Sequence, residues 1–376
     1  MGRLPGASSS DPSFKTLTAA RRRRGRRPGA GAMELLRDSI PMVSVAVAAA
    51  ALYTRAASSR LRPGVPRLAA LLPVIAFLAA APLAFAASAN VRGTAAFFLA
   101  WLGVFKVALL AAGRGPLDPA LPALQFVFAA ALPVKLRRHG AAARPAPKAR
   151  WASLASCAVK VAVVAALLRV YQFAGELNLY VRLALYGVHI YCFLDLLLPF
   201  IAGAGAGVLG MEMEPQFDRP LLAASLRDFW GRRWNLVVSA ILRPSVYEPM
   251  RARAGKAPAA MAAFLVSGLM HEAMVCYITL RPPTGEMAAF FLLHGGSCVA
   301  EALCARRWAA RGWPPPPRPV VTLLGAGYIA GTAFWLFFPP LCRDGSEEVL
   351  LQEWAAAAEY LAGAGQKLLG FGPWQS

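Results

Sequence analysis

Phe264-Leu265-Val266-Ser267-Gly268-Leu269-Met270-His271-Glu272 is the stretch that decides how this chain is read. It lies inside an apolar run, residues 258–280, of the length needed to cross a bilayer. Roughly 17–25 apolar residues span the ~30 Å hydrocarbon core. An ionisable residue at that depth costs about 2.5–3.5 kcal/mol on insertion scales, and such residues mark functional sites. His271 and Glu272 are therefore candidates before anything else in the chain is considered.

Similar runs cover 68–87, 94–112, 155–175, 178–200, 286–305 and 320–341, with a shorter one at 40–54 and a proline-interrupted one at 117–134. The 376 residues are 57% hydrophobic and only 16% charged, a composition that belongs to polytopic membrane proteins. The expected fold is all-α: a transmembrane helical bundle of about eight spans plus interfacial helices, with 117–134 re-entrant or lying in the interface. Residues 33–376 read as a single membrane-embedded domain. Residues 1–32 read as a basic, disordered arm carrying Arg21-Arg22-Arg23-Arg24-Gly25-Arg26-Arg27. That arm is compatible with a transit-like segment, a solvated tail, or an extension upstream of a second start at Met33.

The formal net charge of +21 invites a nucleic-acid reading, but its distribution argues for topology instead. Residues 135–150 hold six basic residues and no acid, and 306–318 hold Arg306, Arg307, Arg311 and Arg318. An excess of Lys and Arg in short loops marks the cytoplasmic side. With 55–67 in the cytosol and 117–134 not crossing, 135–150, 201–257 and 306–319 all fall on that side. The segments around Arg92, Glu176 and Arg281 fall on the other. The six cysteines lie in or beside apolar segments with no CxxC pair, so neither a disulfide framework nor a metal site is expected.

In a helix the His271 side chain leans toward the preceding turn, over Ser267 and Gly268. Apolar surroundings favour the neutral imidazole, which is free to act as a general base; positioned proton transfer is worth roughly 10²–10⁴-fold. Glu272 points about 100° away and is expected to face another helix or a cation. A second unusual segment is Ser225-Leu226-Arg227-Asp228-Phe229-Trp230-Gly231-Arg232-Arg233-Trp234-Asn235. Read as one interfacial helix through Arg243, it puts Trp230, Trp234, Val237, Val238 and Ile241 on one face, with Asp228 paired to Arg232 at i,i+4. Asn235 offers an amide that suits a carbonyl or thioester. Arg232 and Arg233 either meet phosphates or simply snorkel. His294 has a supporting role at the site or packs. His189 reads as structural and His139 as solvated, while Asp195 requires a cationic partner, with Lys160 or Arg169 the candidates. A serine-hydrolase elbow is absent, and Gly-rich 202–210 lacks the Lys-Ser/Thr of a phosphate loop.

Together, 225–247 and 264–272 resemble the plant long-chain-alcohol acyltransferases, the wax ester synthases, of the membrane-bound O-acyltransferase superfamily. The resemblance is strongest over 217–300. It implies a tunnelled helical bundle in the endoplasmic reticulum with His271 catalytic and Asn235 its polar partner. By the same reading Trp230, Arg232, Arg233 and Trp234 position acyl-CoA, and Ser267, Glu272 and His294 support the site. The partners implied are acyl-CoA as co-substrate, a long-chain alcohol and the bilayer, with no bound cofactor and no nucleic acid; association of identical copies is compatible with the sequence. Sterol or diacylglycerol acceptors are the nearest alternative. A transporter is the alternative from another class, though it would spread polar residues along a pathway rather than gather them at two segments.

Overall fold

The computed structural model describes residues 28–134, 147–210 and 213–368. Residues 1–27 of the basic arm, and 135–146 with His139, lie outside the described residues. Helix α1, Pro28–Arg60, begins inside the expected arm. It is followed by α2, Val65–Ala80, and by α3, Ala89–Ala111, which contains a π-helical segment, Ala96–Gly103. Next come α4, Ala123–Ala131, α5, Pro147–Val170, and α6, Leu179–Leu209. The second half holds α7, Leu236–Leu242, α8, Glu248–Ala254, α9, Lys256–Thr279, and α10, Glu286–Ala310. The last two are α11, Arg318–Thr332, prolonged by a π turn to Phe337, and α12, Ser346–Leu368.

Among the described residues seven helices are long and apolar enough to cross a membrane: α1, α2, α3, α6, α9, α10 and α11. The expected span at 155–175 forms as α5, a helix of 24 residues. It carries Lys160 and Arg169, and Lys160 reaches Asp195 on α6 at 2.7 Å, the internal ion pair the sequence called for. Helix α4 is nine residues long. It rises about 14 Å, less than half the ~30 Å core, and so does not cross. Lys106 of α3, 1% exposed, holds the end of α4 by donating from Nζ to the carbonyls of Ala129 (2.7 Å) and Leu132 (2.6 Å). Periodicity gave no hint of that cation, because it interrupts an otherwise apolar run.

Two arginines read as loop charges are buried instead. Arg67 donates to the carbonyls of Ser58 (2.8 Å), Leu61 and Leu110 (3.0 Å), drawing together the ends of α1 and α3. Arg92 donates to the carbonyls of Phe85 (3.1 Å), Tyr277 and Ile278 (2.8 Å). A cation at a helix C-terminus meets unpaired carbonyls and the negative end of the helix dipole, so Arg92 fixes the end of the helix that carries His271. Glu353 of α12 does the reverse at the start of α3, accepting from Ser88 Oγ (2.7 Å) and the amides of Ala89 (2.8 Å) and Asn90 (3.0 Å).

Helices α9 and α10 form a close hairpin because two glycines allow it. A Cβ on Gly268 would lie 2.8 Å from Ala288 Cα, and one on Gly295 would lie 2.9 Å from Phe264 Cβ. Small residues at such interfaces let membrane helices approach without any hydrophobic drive between them. Glu272, 5% exposed, completes the hairpin by accepting from the amides of Thr284 (3.2 Å) and Ala288 (3.2 Å). Its partner is the N-terminus of α10, where backbone N–H groups and the dipole favour an anion.

Candidate active site

Between these helices lies an apolar cavity of about 1910 Å³ whose wall includes Trp101, Tyr191, Trp230, Trp234, Asn235, Ser267, His271, Phe291 and Phe337. His271 Nδ1 is 2.8 Å from the Ser267 carbonyl, one turn back. A carbonyl oxygen only accepts, so Nδ1 carries the proton and Nε2 keeps its lone pair. Nε2 forms no hydrogen bond with the described residues. The ring is held by stacking on Phe291 (4.2 Å between centroids) and by edge contacts with Trp101 (4.9 Å) and Phe337 (6.0 Å). These three aromatics were invisible as site residues in the sequence, where each is one more apolar residue in a span.

The segment read as one helix from 225 to 243 is broken. Ser225 caps a single turn, Leu226–Asp228, by accepting from the Asp228 amide at 2.9 Å. A π turn, Phe229–Arg233, follows; Trp234 is extended and Asn235 is left-handed (φ 43°, ψ 66°) before α7 begins. The expected aromatic face is therefore split across a bend. The pairing changes too: Asp228 Oδ2 binds Arg233 Nε at 2.6 Å, not Arg232, because a π turn brings i and i+5 together rather than i and i+4. Burial works against the Asp228 charge. The Arg233 hydrogen bond, the Ala224 amide and the charges of Arg233 and Arg232 outweigh it and hold the carboxyl below the usual carboxylate range. Glu301 of α10 accepts from the amides of Leu226 (3.1 Å) and Arg227 (3.2 Å), and backbone bonds Asp218 N to Arg233 O and Leu236 N to Gln216 O (2.9 Å each) clamp the other side.

Asn235 starts α7, its Oδ1 accepting from the Val238 amide at 3.5 Å. That leaves the Nδ2 donors without a hydrogen bond among the described residues, on a side chain that lines the cavity. Asn is one of the few residues that enter the left-handed region readily, so the residue type fits the bend. Trp234 stacks on Phe229 (5.4 Å) and faces Tyr191 (6.2 Å). Trp230 donates from Nε1 to His294 Nδ1 at 3.1 Å.

Outside the cavity, Arg227, Arg232, Arg233 and Arg318 line a surface cleft of about 500 Å³ together with Asp228. The cleft and the cavity share Ser225, Arg227 and Thr322, so the two adjoin. Arg318 was read from sequence only as a topological charge, and Arg227 was given no role; their convergence on Arg232 and Arg233 requires the turn at 226–233 and the start of α11 to meet. Of the other expected site residues, Ser267 lines the cavity, whereas Glu272 is occupied with α10 and His294 is fully buried behind Trp230. Among the described residues no three His, Cys, Asp or Glu side chains gather as a metal site.

Residues 213–293, which hold the bend, α7, α9 and the start of α10, match the family described as membrane bound O-acyl transferase. The chain is 37% identical over 310 residues to a probable long-chain-alcohol O-fatty-acyltransferase 1 of Arabidopsis thaliana, covering 79% of this chain and 89% of the relative. It is 35% identical over 324 residues to a long-chain-alcohol O-fatty-acyltransferase of Simmondsia chinensis, covering 83% and 90%. It is 33% identical over 335 residues to an acyl-CoA–sterol O-acyltransferase 1 of Arabidopsis thaliana, covering 85% and 95%. The likeness runs through both segments that line the cavity and nearly the whole of each relative; the chain belongs to the membrane bound O-acyl transferase family and is an acyltransferase.

Proposed function

We propose that the protein transfers a fatty acyl group from acyl-CoA to a long-chain primary alcohol, releasing a wax ester and CoA. The observation that carries this reading is a histidine with its proton fixed on Nδ1, set in an apolar cavity of about 1910 Å³ that adjoins an arginine-lined cleft. Ordinary small-molecule pockets are about 300–1,000 Å³, so this one has room for two alkyl chains. The phosphates of CoA suit the arginines, and with α5 and α6 both crossing, the excess of loop charges assigns their stretch to the cytosol. The pantetheine arm would pass Ser225 and Thr322 and bring the thioester to Asn235.

His271 Nε2 then takes the alcohol proton as the hydroxyl oxygen attacks the thioester carbon. Asn235 Nδ2 donates to the oxyanion that forms, and one such donor is worth about 10²–10³ in rate. Collapse breaks the C–S bond; the thiolate leaves and regains the proton from His271, giving ester and thiol with the base restored. The alcohol enters from the bilayer, where its chain already partitions, and the endoplasmic reticulum is the proposed membrane.

The test uses membranes from a host lacking its own neutral-lipid acyltransferases, expressing the full chain or His271→Ala. Labelled palmitoyl-CoA is supplied with hexadecanol, a sterol or diacylglycerol. Wax ester that is absent with His271→Ala supports the proposal. Steryl ester or triacylglycerol alone keeps the mechanism and replaces the acceptor, an outcome the sterol acyltransferase relative makes worth including. Full activity in a folded His271→Ala protein sinks the assignment of the base.

A further inference from the structure

His294 is 0% exposed and absent from the cavity wall, yet both of its ring nitrogens are engaged. Nδ1 lies 3.1 Å from Trp230 Nε1, and Nε2 lies 2.9 Å from Thr332 Oγ1. An indole N–H only donates, so Nδ1 is the acceptor and the imidazole proton sits on Nε2. The Thr332 hydroxyl uses its own proton on the Tyr328 carbonyl at 2.7 Å, with Ile329 O at 3.1 Å, and so receives the proton of Nε2. The chain has one consistent direction: Trp230 donates to His294, His294 to Thr332, and Thr332 to the backbone of α11. No lone pair or N–H of His294 is left to face a substrate.

Trp230 is the tooth that this chain holds. It sits in the π turn five residues before Asn235, and its ring contacts Phe291 (5.6 Å) and Phe264 (5.9 Å) across the hairpin. Phe291 is the ring that stacks on His271. Only two rings, Trp230 and Phe291, therefore separate His294 from the His271 imidazole, and the bend that carries Asn235 is tied to the hairpin that carries His271 through the same indole.

We infer that His294 is a positioning residue for the acyl transfer: it fixes Trp230, through a directed hydrogen-bond chain ending on α11, so that the Asn235 bend and the His271 imidazole keep their relative placement. The inference rests on the proposed roles of His271 and Asn235. The groups that face His294 are Trp230, Phe290, Tyr328 and Thr332, none of them charged. Its work is directional hydrogen bonding rather than charge, and glutamine can reproduce it by accepting at Oε1 and donating at Nε2.

The experiment compares His294→Gln, His294→Leu, Trp230→Phe and the double variant Trp230→Phe/His294→Leu in the full chain, measuring kcat, KM for hexadecanol and the pH profile of kcat. Displacements of about 1 Å cost up to 10²-fold. His294→Leu and Trp230→Phe are expected to lower kcat about 10- to 100-fold with little change in KM. His294→Gln should restore most of the rate with a pH profile superimposed on wild type. The double variant should be no slower than Trp230→Phe alone, since His294 acts through that indole. Wild-type kcat in His294→Leu would overturn the inference in favour of plain packing. A His294→Gln protein as slow as His294→Leu, with a displaced pH profile, would overturn it in favour of proton transfer. Should His294→Leu fail to fold, Trp230→Phe and His294→Gln still decide. Failure of the His271 reading shows separately, as activity retained in His271→Ala.

Discussion

Asn235 carries a structural duty and, in the proposed mechanism, a chemical one, and substitution can separate them. Its left-handed backbone (φ 43°, ψ 66°) is needed to turn the chain from the π segment into α7, and its Oδ1 caps that helix. An ordinary side chain in this conformation costs about 1–2 kcal/mol. Loss of an N-cap costs typically about 1 kcal/mol to alanine but only a few tenths to glycine. Asn235→Ala should therefore destabilise the protein by about 2–3 kcal/mol in all. Asn235→Gly relieves the strain and Asn235→Asp keeps the cap, so both should melt close to wild type. All three remove the Nδ2 donors, and all three should lose about 10²–10³ in kcat, the equivalent of about 2.7–4 kcal/mol of transition-state stabilisation. Asn235→Asp should be the slowest, because it sets a negative charge beside the developing oxyanion. The measurements are thermal melting in detergent, read by fluorescence-detected size exclusion, and initial rates with palmitoyl-CoA and hexadecanol. If Asn235→Gly turns over at the wild-type rate, the amide is a turn residue only and the oxyanion is held by something else.

Gly268→Ala must push α9 and α10 apart, since its Cβ would meet Ala288 Cα at 2.8 Å; expected are a loss of about 1–3 kcal/mol and a fall in kcat as Phe291 withdraws from His271. Gly296→Ala, with nothing within 4 Å, is the control and should be neutral or gain up to about 1 kcal/mol; equal rates for the two would refute the close-packing account. Asp228→Asn should free Arg233 and raise KM for acyl-CoA. Because the Asp228 carboxyl is held low, its stabilisation is present above the unfolded value near 4 and disappears as pH falls through the lower folded value. Wild type and Asp228→Asn should thus differ throughout pH 5–8 and converge only in strong acid. Lys106→Met should leave the Ala129 and Leu132 carbonyls unpaired and cost about 1–3 kcal/mol, visible as faster limited proteolysis across 113–134; unchanged cleavage would mean that α4 is held by packing alone.

The helices were legible because a bilayer imposes one strong constraint, that long apolar runs become helices with their backbone bonds satisfied internally. His271 was legible for the complementary reason: an ionisable group in such a run is too costly to be incidental. What composition could not disclose was where single polar groups break the regular pattern. Trp230 to Ile241 satisfy a helical spacing, and nothing in that spacing announces the bend at Asn235. The bent form is held by hydrogen bonds to Glu301, Gln216 and Asp218, which lie far from it in sequence or outside its helical pattern. Arg67, Arg92 and Lys106 were misread or passed over for the same cause, since a charge that serves buried helix ends looks in sequence like a loop charge or a blemish in a span.

The two segments that meet at the cavity differ in kind, and the difference follows from what each substrate brings. On the proposed roles the base meets a hydroxyl that arrives in hydrocarbon, where unpaired backbone is prohibitive, and it is borne by a continuous helix whose C-terminal half is tied by Arg92 and Glu272. On the same reading the donor meets a thioester whose other end is a highly charged nucleotide that stays in water. It is borne by an irregular turn that opens onto the arginine cleft. A rigid helix fixes the imidazole; the turn is irregular and needs outside support to reach the same precision. That need accounts for the hydrogen bonds that this short stretch makes with Glu301 and His294, which accept from it, and with the 216–218 strip. Substitutions in the helix pair should consequently act mainly on kcat, and those in the arginine cleft mainly on KM for acyl-CoA. A variant of Arg232 that lowered kcat while leaving KM unchanged would show that the cleft takes part in the chemistry and not in binding alone.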